Sequence, residues 1–231
     1  MSTPQIRPRI RIGVDADVAP VARLIAESFA PIDLSRWLVP SDDDRVGVLA
    51  RYFTIHVEHA LWHGQVDIID HTQVPAGIDG AAGPAAVAVW FAVPHPHIPC
   101  YSERQRTVCG PWTDRFERLE AQMHHAHPHQ QDPHMYGAFM AVDARLHNQG
   151  LGSVLLDQRL TDMDQYGLPA YLEAGNARSR NLYLRKGFTD CAPVFDLPYD
   201  GEPLYPMWRP GRHDPGRTGA EPQAPADQQP R

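Results

Sequence analysis

The sequence predicts an α/β domain in which helices flank a mixed sheet, and three observations carry that expectation. Ala85–Val93 is an almost unbroken apolar run of strand length, the pattern of a strand covered on both faces. Val18, Val21, Ile25 and Phe29, and then Val46, Leu49, Phe53, Val57 and Leu61, recur at the spacing of one helix face. After about residue 134, strand-like and helix-like runs alternate: Tyr136–Val142, Leu151–Arg159, Tyr171–Ala174 and the segment from Asn176 to Phe188.

Taken in order, Ile6–Val14 alternates basic and apolar residues and reads as a first strand. Asp15 or Asp17 then caps a helix that Pro31 ends. A second helix is expected from about Asp43 to Trp62, its start marked by Asp42, Asp43 and Asp44 where the helix dipole favours negative charge. Gln65–Ile69 reads as a strand and Gln73–Gly83 as a hairpin loop rich in Gly, Ala and Pro. Pro94–Gly110, punctuated by prolines and a glycine, reads as loop, Thr113–His125 as helix and His127–Pro133 as loop. Phe195–Met207 reads as a closing hairpin turning at Asp200-Gly201.

The 231 residues suit one domain with an appendage, and the 42% apolar share is ample for a core. The boundary is expected at residue 209. From 210 to 231 the composition shifts to Pro, Gly, Gln and Arg, which cannot bury enough surface to offset its ordering entropy, so this tail is expected to be disordered. A net charge of −7 argues against a nucleic-acid partner and suits a cationic small substrate. No run reaches the length of a membrane span. The start has no apolar signal region, and a cytoplasmic protein, monomer or homodimer, is expected. Cys100, Cys109 and Cys191 are an odd number without paired spacing, and they do not read as a disulfide framework.

The stretch His147-Asn148-Gln149-Gly150-Leu151-Gly152-Ser153 lies between a strand-like and a helix-like run. Two glycines at such a junction let a ligand approach the backbone, and the first turn of the helix presents unpaired N–H groups and the positive end of its dipole. That combination binds phosphate. The helix downstream ends in Leu182-Tyr183-Leu184-Arg185-Lys186-Gly187-Phe188. The pair of segments resembles the GNAT acetyltransferases, whose phosphate loop reads Arg/Gln-x-x-Gly-x-Gly/Ala and whose next helix ends in Leu-Tyr-x-x-x-Gly-Phe. This chain departs from the pattern in placing His147 at the Arg/Gln position. Within the family, Ala85–Trp90, Gly150–Ser153 and Pro169–Glu173 are most similar to puromycin N-acetyltransferase-like enzymes.

The resemblance implies a mixed, mostly antiparallel central sheet with a splayed strand pair, Phe139–Val142 against Ala170–Ala174, holding acetyl-CoA. The backbone of Met140, Ala141 and Val142 would bind the pantetheine arm, with a backbone N–H near Met140 facing the thioester carbonyl. His147, Asn148, Gln149, Gly150, Leu151, Gly152 and Ser153 would hold the pyrophosphate, and Asn176 would either contact the cofactor arm or simply cap its helix. Tyr183 is the expected general acid, since a phenol with pKa of about 10 suits protonation of a departing thiolate. Packing under the sheet is the competing role for that ring.

Glu173, in an otherwise apolar strand, is the candidate general base, with a carboxylate pointing to solvent as the equal alternative. His56, His59 and His63 share roughly one helix face without the order of a zinc helix, and His124, His125, His127 and His129 lie in a segment of no fixed spacing. His134 enters the strand that leads to the phosphate turn. No metal is expected. The reading is an acetyl-CoA-dependent N-acetyltransferase acting on a small-molecule amine by direct attack in a ternary complex, an antibiotic or secondary metabolite among the candidate acceptors. The alternatives are a peptide or protein N-acetyltransferase, and a non-catalytic acyl-CoA-binding sensor.

Overall fold

Among the described residues seven strands form one sheet; numbered in chain order, they lie side by side as β1-β2-β3-β4-β5-β7-β6, antiparallel except where β4 meets β5. The computed structural model describes residues 8–74, 81–128, 133–191, 195 and 197–212. The strands are β1 (Arg11–Ile12), β2 (Gly64–Asp70), β3 (Pro84–Val93), β4 (His134–Val142), β5 (Ala170–Ala174), β6 (Thr189–Asp190) and β7 (Tyr205–Arg209). The helices are α1 (Val18–Phe29), α2 (Asp33–Leu38), α3 (Asp42–His63), α4 (Tyr101–Cys109), α5 (Thr113–Ala126), α6 (Leu151–Gln165) and α7 (Ala177–Arg185).

The apolar run of β3 is buried from Pro84 to Phe91 because helices cover both its faces. Val87, Val89 and Phe91 pack with α1, α3 and α5 through Val21, Ile25, Leu49, Phe53 and Phe116. Ala86, Ala88 and Trp90 point the other way, into a second cluster with Leu151, Leu155 and Leu156 of α6 and Tyr183 of α7. Period-2 alternation along β3 thus sends successive side chains to two cores. Truncating a fully buried side chain such as Leu155 to Ala would cost about 2–5 kcal/mol.

Ion pairs fix the helices at their polar edges. Arg159 on α6 makes a bidentate contact to the buried Asp67 of β2, at 3.0 and 2.7 Å. Arg209, at the end of β7, reaches Asp164 at 2.7 and 2.6 Å and donates to Lys186 O at 3.2 Å, tying the last strand to α6 and α7.

Three expectations change. Pro94–Gly110 is not all loop: its prolines and glycine sit at the ends, and Tyr101–Cys109 between them is helical. That helix buries only Gln105 and Cys109, so it carries almost no apolar periodicity to read. The closing hairpin is also different. β7 pairs with β5 along Ala170–Ala174 and with the two-residue β6 on its other side, so Asp200-Gly201 lies in a long connection and not in a tight turn between strands. At the N-terminus only Arg11–Ile12 pairs as a strand, and Ile6 and Arg7 lie outside the described residues. The Gln73–Gly83 loop and the His127–Pro133 loop are only partly described. Of the expected tail, Pro210–Arg212 is described: the Gly211 backbone lies so close to Gly167 that a Cβ there would fall 1.9 Å from its carbonyl oxygen. The remainder lies outside the described residues.

Candidate active site

The site begins where β4 and β5 part. They pair in parallel at Met135↔Ala170, Tyr136↔Tyr171 and Gly137↔Leu172, and pairing stops there. β4 runs on to Val142 and β5 to Ala174. A break in register beside Val89/Trp90, where Ala138 has no partner on β3, kinks β4 at the start of this gap. Gly137 fits against the Trp90 ring, where a Cβ would come within 2.8 Å of it.

Asp143 N–H donates to Ala85 O at 2.9 Å, and Met140 and Val142 stand opposite Ala88 and Ala86. Bonded and non-bonded pairs alternate along an antiparallel ladder. The N–H and C=O groups of Met140 and Val142 therefore turn away from β3, into the gap, while those of Ala141 serve the sheet. Although β4 is the middle strand of the sheet, Tyr136, Ala138 and Phe139 on one face and Met140 and Val142 on the other are only half-buried. The gap is therefore open from both faces.

At the far end of β4, Gly150 adopts φ +80° and Asn148 φ +66°, the left-handed conformations that turn the chain into α6. No side chain caps α6, so its first N–H groups are left for a ligand. A Cβ at Gly150 would meet nothing within 4 Å, and at Gly152 only ordinary contacts at 3.7 Å and beyond. These residues fit a pyrophosphate: exposed backbone donors, a helix dipole and open space in front of them.

His147 is turned differently from a phosphate ligand. Its Nε2 lies 3.2 Å from Val142 O, and Arg178 Nη1 lies 3.2 Å from its Nδ1. Arg178 also donates to Asn148 Oδ1 at 3.0 Å. Arg178, at the exposed start of α7, was not singled out from the sequence, yet it clasps the loop from the neighbouring helix. Asn176 caps α7, accepting from Ser179 N–H at 2.8 Å. Beside it, Pro31, Ile32, Asp33, Gly175, Arg178 and Glu202 line a cavity of about 260 Å³ at the mouth of the gap. A larger cavity of about 480 Å³ lies between α3 and α4, lined by Arg51, Glu103 and Arg104.

The two expected catalytic side chains flank the gap from opposite faces. Tyr183 lies in the α6/α7 core with Leu172, Ala174, Met140 and Val142 around it and its ring 5.8 Å from Phe188. Burial raises its pKa above that of a free phenol, and its hydroxyl has no hydrogen-bond partner among the described residues. Glu173 projects to the other face. Its Oε2 accepts from Tyr136 O–H at 2.9 Å, while Oε1 is buried without a partner among the described residues. The Tyr171 hydroxyl, also buried, neighbours this carboxylate but completes no hydrogen bond with it. Burial pushes the Glu173 carboxyl up to about 7, against the pull of the Tyr136 hydroxyl.

The His-rich segments divide. His56 packs against Tyr52, Tyr101 and Phe139 on the Glu173 face, whereas His59 turns to Pro96 O at 2.9 Å and stacks near His63 and His95. His127 lies over Tyr171 and Tyr136, 2.9 Å from His134. Among the described residues no cluster of His, Cys, Asp and Glu fits a metal ion. All three cysteines are free.

Residues 116–188, which span α5 through α7 and contain both the loop and the gap, match the model of the acetyltransferase (GNAT) family. The fold recurs in a crystal structure described as histone acetyltransferase HPA2 and related acetyltransferase from Corynebacterium glutamicum, 23% identical over 94% of this chain and 99% of that one, with a TM-score of 0.65. It recurs in arylalkylamine N-acetyltransferase 2 from Aedes aegypti, at 15% identity over 87% and 98% of the two chains and a TM-score of 0.53. The C-terminal condensation domain of Ebony, in complex with β-alanyl-dopamine, shares it at 14% identity over 89% and 100%, with a TM-score of 0.60. The chain has the GNAT fold, and its residues 116–188 carry the match to the acetyltransferase family, which supports an acyltransferase. No described helix is long and apolar enough to cross a membrane.

Proposed function

We propose that the protein transfers the acetyl group of acetyl-CoA to a primary amine of a small molecule, by direct attack in a ternary complex. The observation that carries this reading is the placement of Glu173 and Tyr183 on opposite faces of a gap that is open from both sides. One face then serves the acceptor and the other the leaving group.

Acetyl-CoA supplies the thioester, and the uncapped turn at Gly150–Ser153, the inward backbone groups of Met140 and the N–H of Val142 bind it. Glu173, poised at about 7, takes a proton from the incoming ammonium, directly or through water. The amine nitrogen attacks the carbonyl carbon, a C–N bond forms, and the Met140 N–H is the donor turned toward the developing oxyanion. As the C–S bond breaks, its electron pair leaves on sulfur and takes a proton from the Tyr183 hydroxyl; the nitrogen releases its second proton to solvent, from which Tyr183 recovers one. Neither Cys109 nor Cys191 is suited to an acyl-enzyme route: burial pushes the Cys109 thiol up to about 12 and raises that of Cys191.

The half-buried Phe139 and Tyr136 and a net charge of −7 favour a cationic amine with an apolar body as acceptor. An aminated antibiotic or secondary metabolite, the acceptor class implied by the likeness to puromycin N-acetyltransferase-like enzymes, fits that description. An amine-library screen read by thiol release tests it. Acetyl-CoA-dependent thiol release with small amines supports the reading, and release with peptides alone would replace it by peptide acetylation. Coenzyme A binding without turnover on any acceptor would leave an acyl-CoA-binding sensor.

A further inference from the structure

Beyond Glu173, a second carboxylate stands on the same face of the gap without a counter-charge. Glu120 projects from α5, half-buried, and its Oε1 accepts from Tyr52 O–H at 2.7 Å, from Gln105 Nε2 at 2.7 Å and from the Tyr101 hydroxyl. Three neutral donors converge on one oxygen and fix the group. The other oxygen makes no hydrogen bond among the described residues. No Lys or Arg there pairs with Glu120 or with Glu173. Burial keeps His56 neutral, its pKa pushed down to about 3, so that ring offers no positive charge either.

Carboxylates withdrawn from water are ordinarily paired, because desolvating an unpaired charge is costly. Glu173 is bonded to Tyr136 of β4, and the Glu120 partners Tyr52 and Tyr101 pack through His56 onto Phe139 of the same strand, so both carboxylates stand over one face of β4. The side chains about them are aromatic, with Tyr52 packed against Phe53, His56 and Phe116, and His56 against Phe139 and Tyr101. Such rings favour an ammonium group. Tyr171 is wholly buried, and its hydroxyl, like the neighbouring Glu173 Oε1, has no partner among the described residues. These are the groups that a bound amine would satisfy.

Resting on the reading of the gap as an N-acetyltransfer site, we propose that the acceptor carries a second cationic group and that Glu120 receives it while Glu173 faces the reacting amine. The substrate class is then a diamine, or an amine bearing a second ammonium or guanidinium, on an apolar or aromatic body. A purely structural Glu120, tying α3, α4 and α5 together, would give no preference between acceptors that differ only in their second charge.

Acetyl transfer is measured with benzylamine and para-xylylenediamine, and with n-alkylamines against α,ω-diaminoalkanes of increasing length, for wild type and Glu120→Gln. The expected result is a kcat/KM higher for the matched diamine by about tenfold or more, the scale of one charge-assisted contact, with the preference carried by KM and lost in E120Q. Equal kcat/KM for each pair in wild type, or a preference that survives E120Q, overturns the proposal and leaves the transferase reading intact. If no amine is acetylated, that reading fails by itself. Calorimetry of benzylamine and para-xylylenediamine against the coenzyme A complex then decides this proposal, through tighter binding of the diamine that E120Q abolishes, or equal binding. Should E120Q not fold, Glu120→Asp draws the charge back by one methylene and must shift the preferred diamine to a longer one. An unshifted optimum overturns the assignment.

Discussion

The Tyr136 hydroxyl donates to Glu173 Oε2 at 2.9 Å, and that bond joins β4 to β5 at the point where their backbone pairing ends. It stabilises the ionised carboxylate against a burial that favours the neutral one. Glu173 therefore titrates at about 7, where a general base is most useful.

The activity of the wild type should rise with pH through about 7, because the carboxyl is protonated below that value and takes no proton from the amine. Tyr136→Phe removes the bond that lowers this pKa, so the rising limb should move to higher pH. Glu173→Gln should abolish the limb and lower turnover by about 10²-fold or more. The same shift bears on stability. A carboxyl raised when folded favours the folded state fully at pH below its unfolded value and loses that contribution as pH rises to about 7. Kinetic profiles of the three proteins on one amine check the first claim, and melting of wild type against E173Q across that window checks the second.

Tyr183→Phe keeps the ring beside Phe188 and removes only the proton. Turnover should fall by about 10²-fold, while acetyl-CoA affinity stays near wild type, since the lost interaction belongs to the transition state. Steady-state kinetics with calorimetry on the same sample separates the two quantities. Unchanged turnover would leave Tyr183 as a packing residue.

Gly150→Asp should weaken coenzyme A binding severely, because it puts a like charge before the uncapped N–H groups of α6. Part of that loss is backbone strain, since φ is +80° there. Gly150→Ala carries the strain without the charge, and a Cβ at this position meets no protein atom within 4 Å. A loss in the Asp variant no larger than in the Ala variant would show that the pyrophosphate does not approach this turn.

The elements with strong periodic patterns were legible in the sequence: β3, α1, α3 and the alternating units from β4 to α7. Their patterns reflect burial, which composition records directly. The turn into α6 was legible because its left-handed bend at position 150 favours glycine. Helix α4 was hidden because it buries few residues, and its Pro- and Gly-rich flanks masked it. The role of Glu120 was equally hidden. Its partners Tyr52, Tyr101 and Gln105 lie 15 to 68 residues away, and only the packing of three helices brings them to one oxygen. Glu173 stood out as a lone carboxylate in an apolar strand, but its bond to Tyr136 follows from a parallel register that no local pattern specifies.

The tail should be dispensable only beyond its first residues. Gly211 is held against Gly167, and Arg212 lies beside Gly187, so a chain ending at Arg209 loses contacts that one ending at Arg212 keeps. Residues after 212 have a composition that cannot form a core. Truncation after Arg212 should leave melting temperature and turnover unchanged. A fall in either would mean that the distal tail docks on the domain.

Arg178 ties the start of α7 to the loop that precedes α6, bonding to His147 and to Asn148. His147 spends its other nitrogen on Val142 O, so it holds the loop against β4 and does not face the ligand. His147→Ala should therefore cost no more than about 1 kcal/mol of coenzyme A affinity, the scale of one ordinary hydrogen bond. Arg178→Ala should cost more, because its guanidinium stands beside the loop and is the nearest positive charge bonded to it. The two effects should not add. With His147 gone, Arg178 loses one of its two loop contacts, and a double-mutant cycle on coenzyme A affinity should show a coupling of about 0.5 kcal/mol or more. Additive losses would make the Arg178–His147 contact incidental, and a hundredfold loss in H147A alone would make His147 a direct ligand of the cofactor.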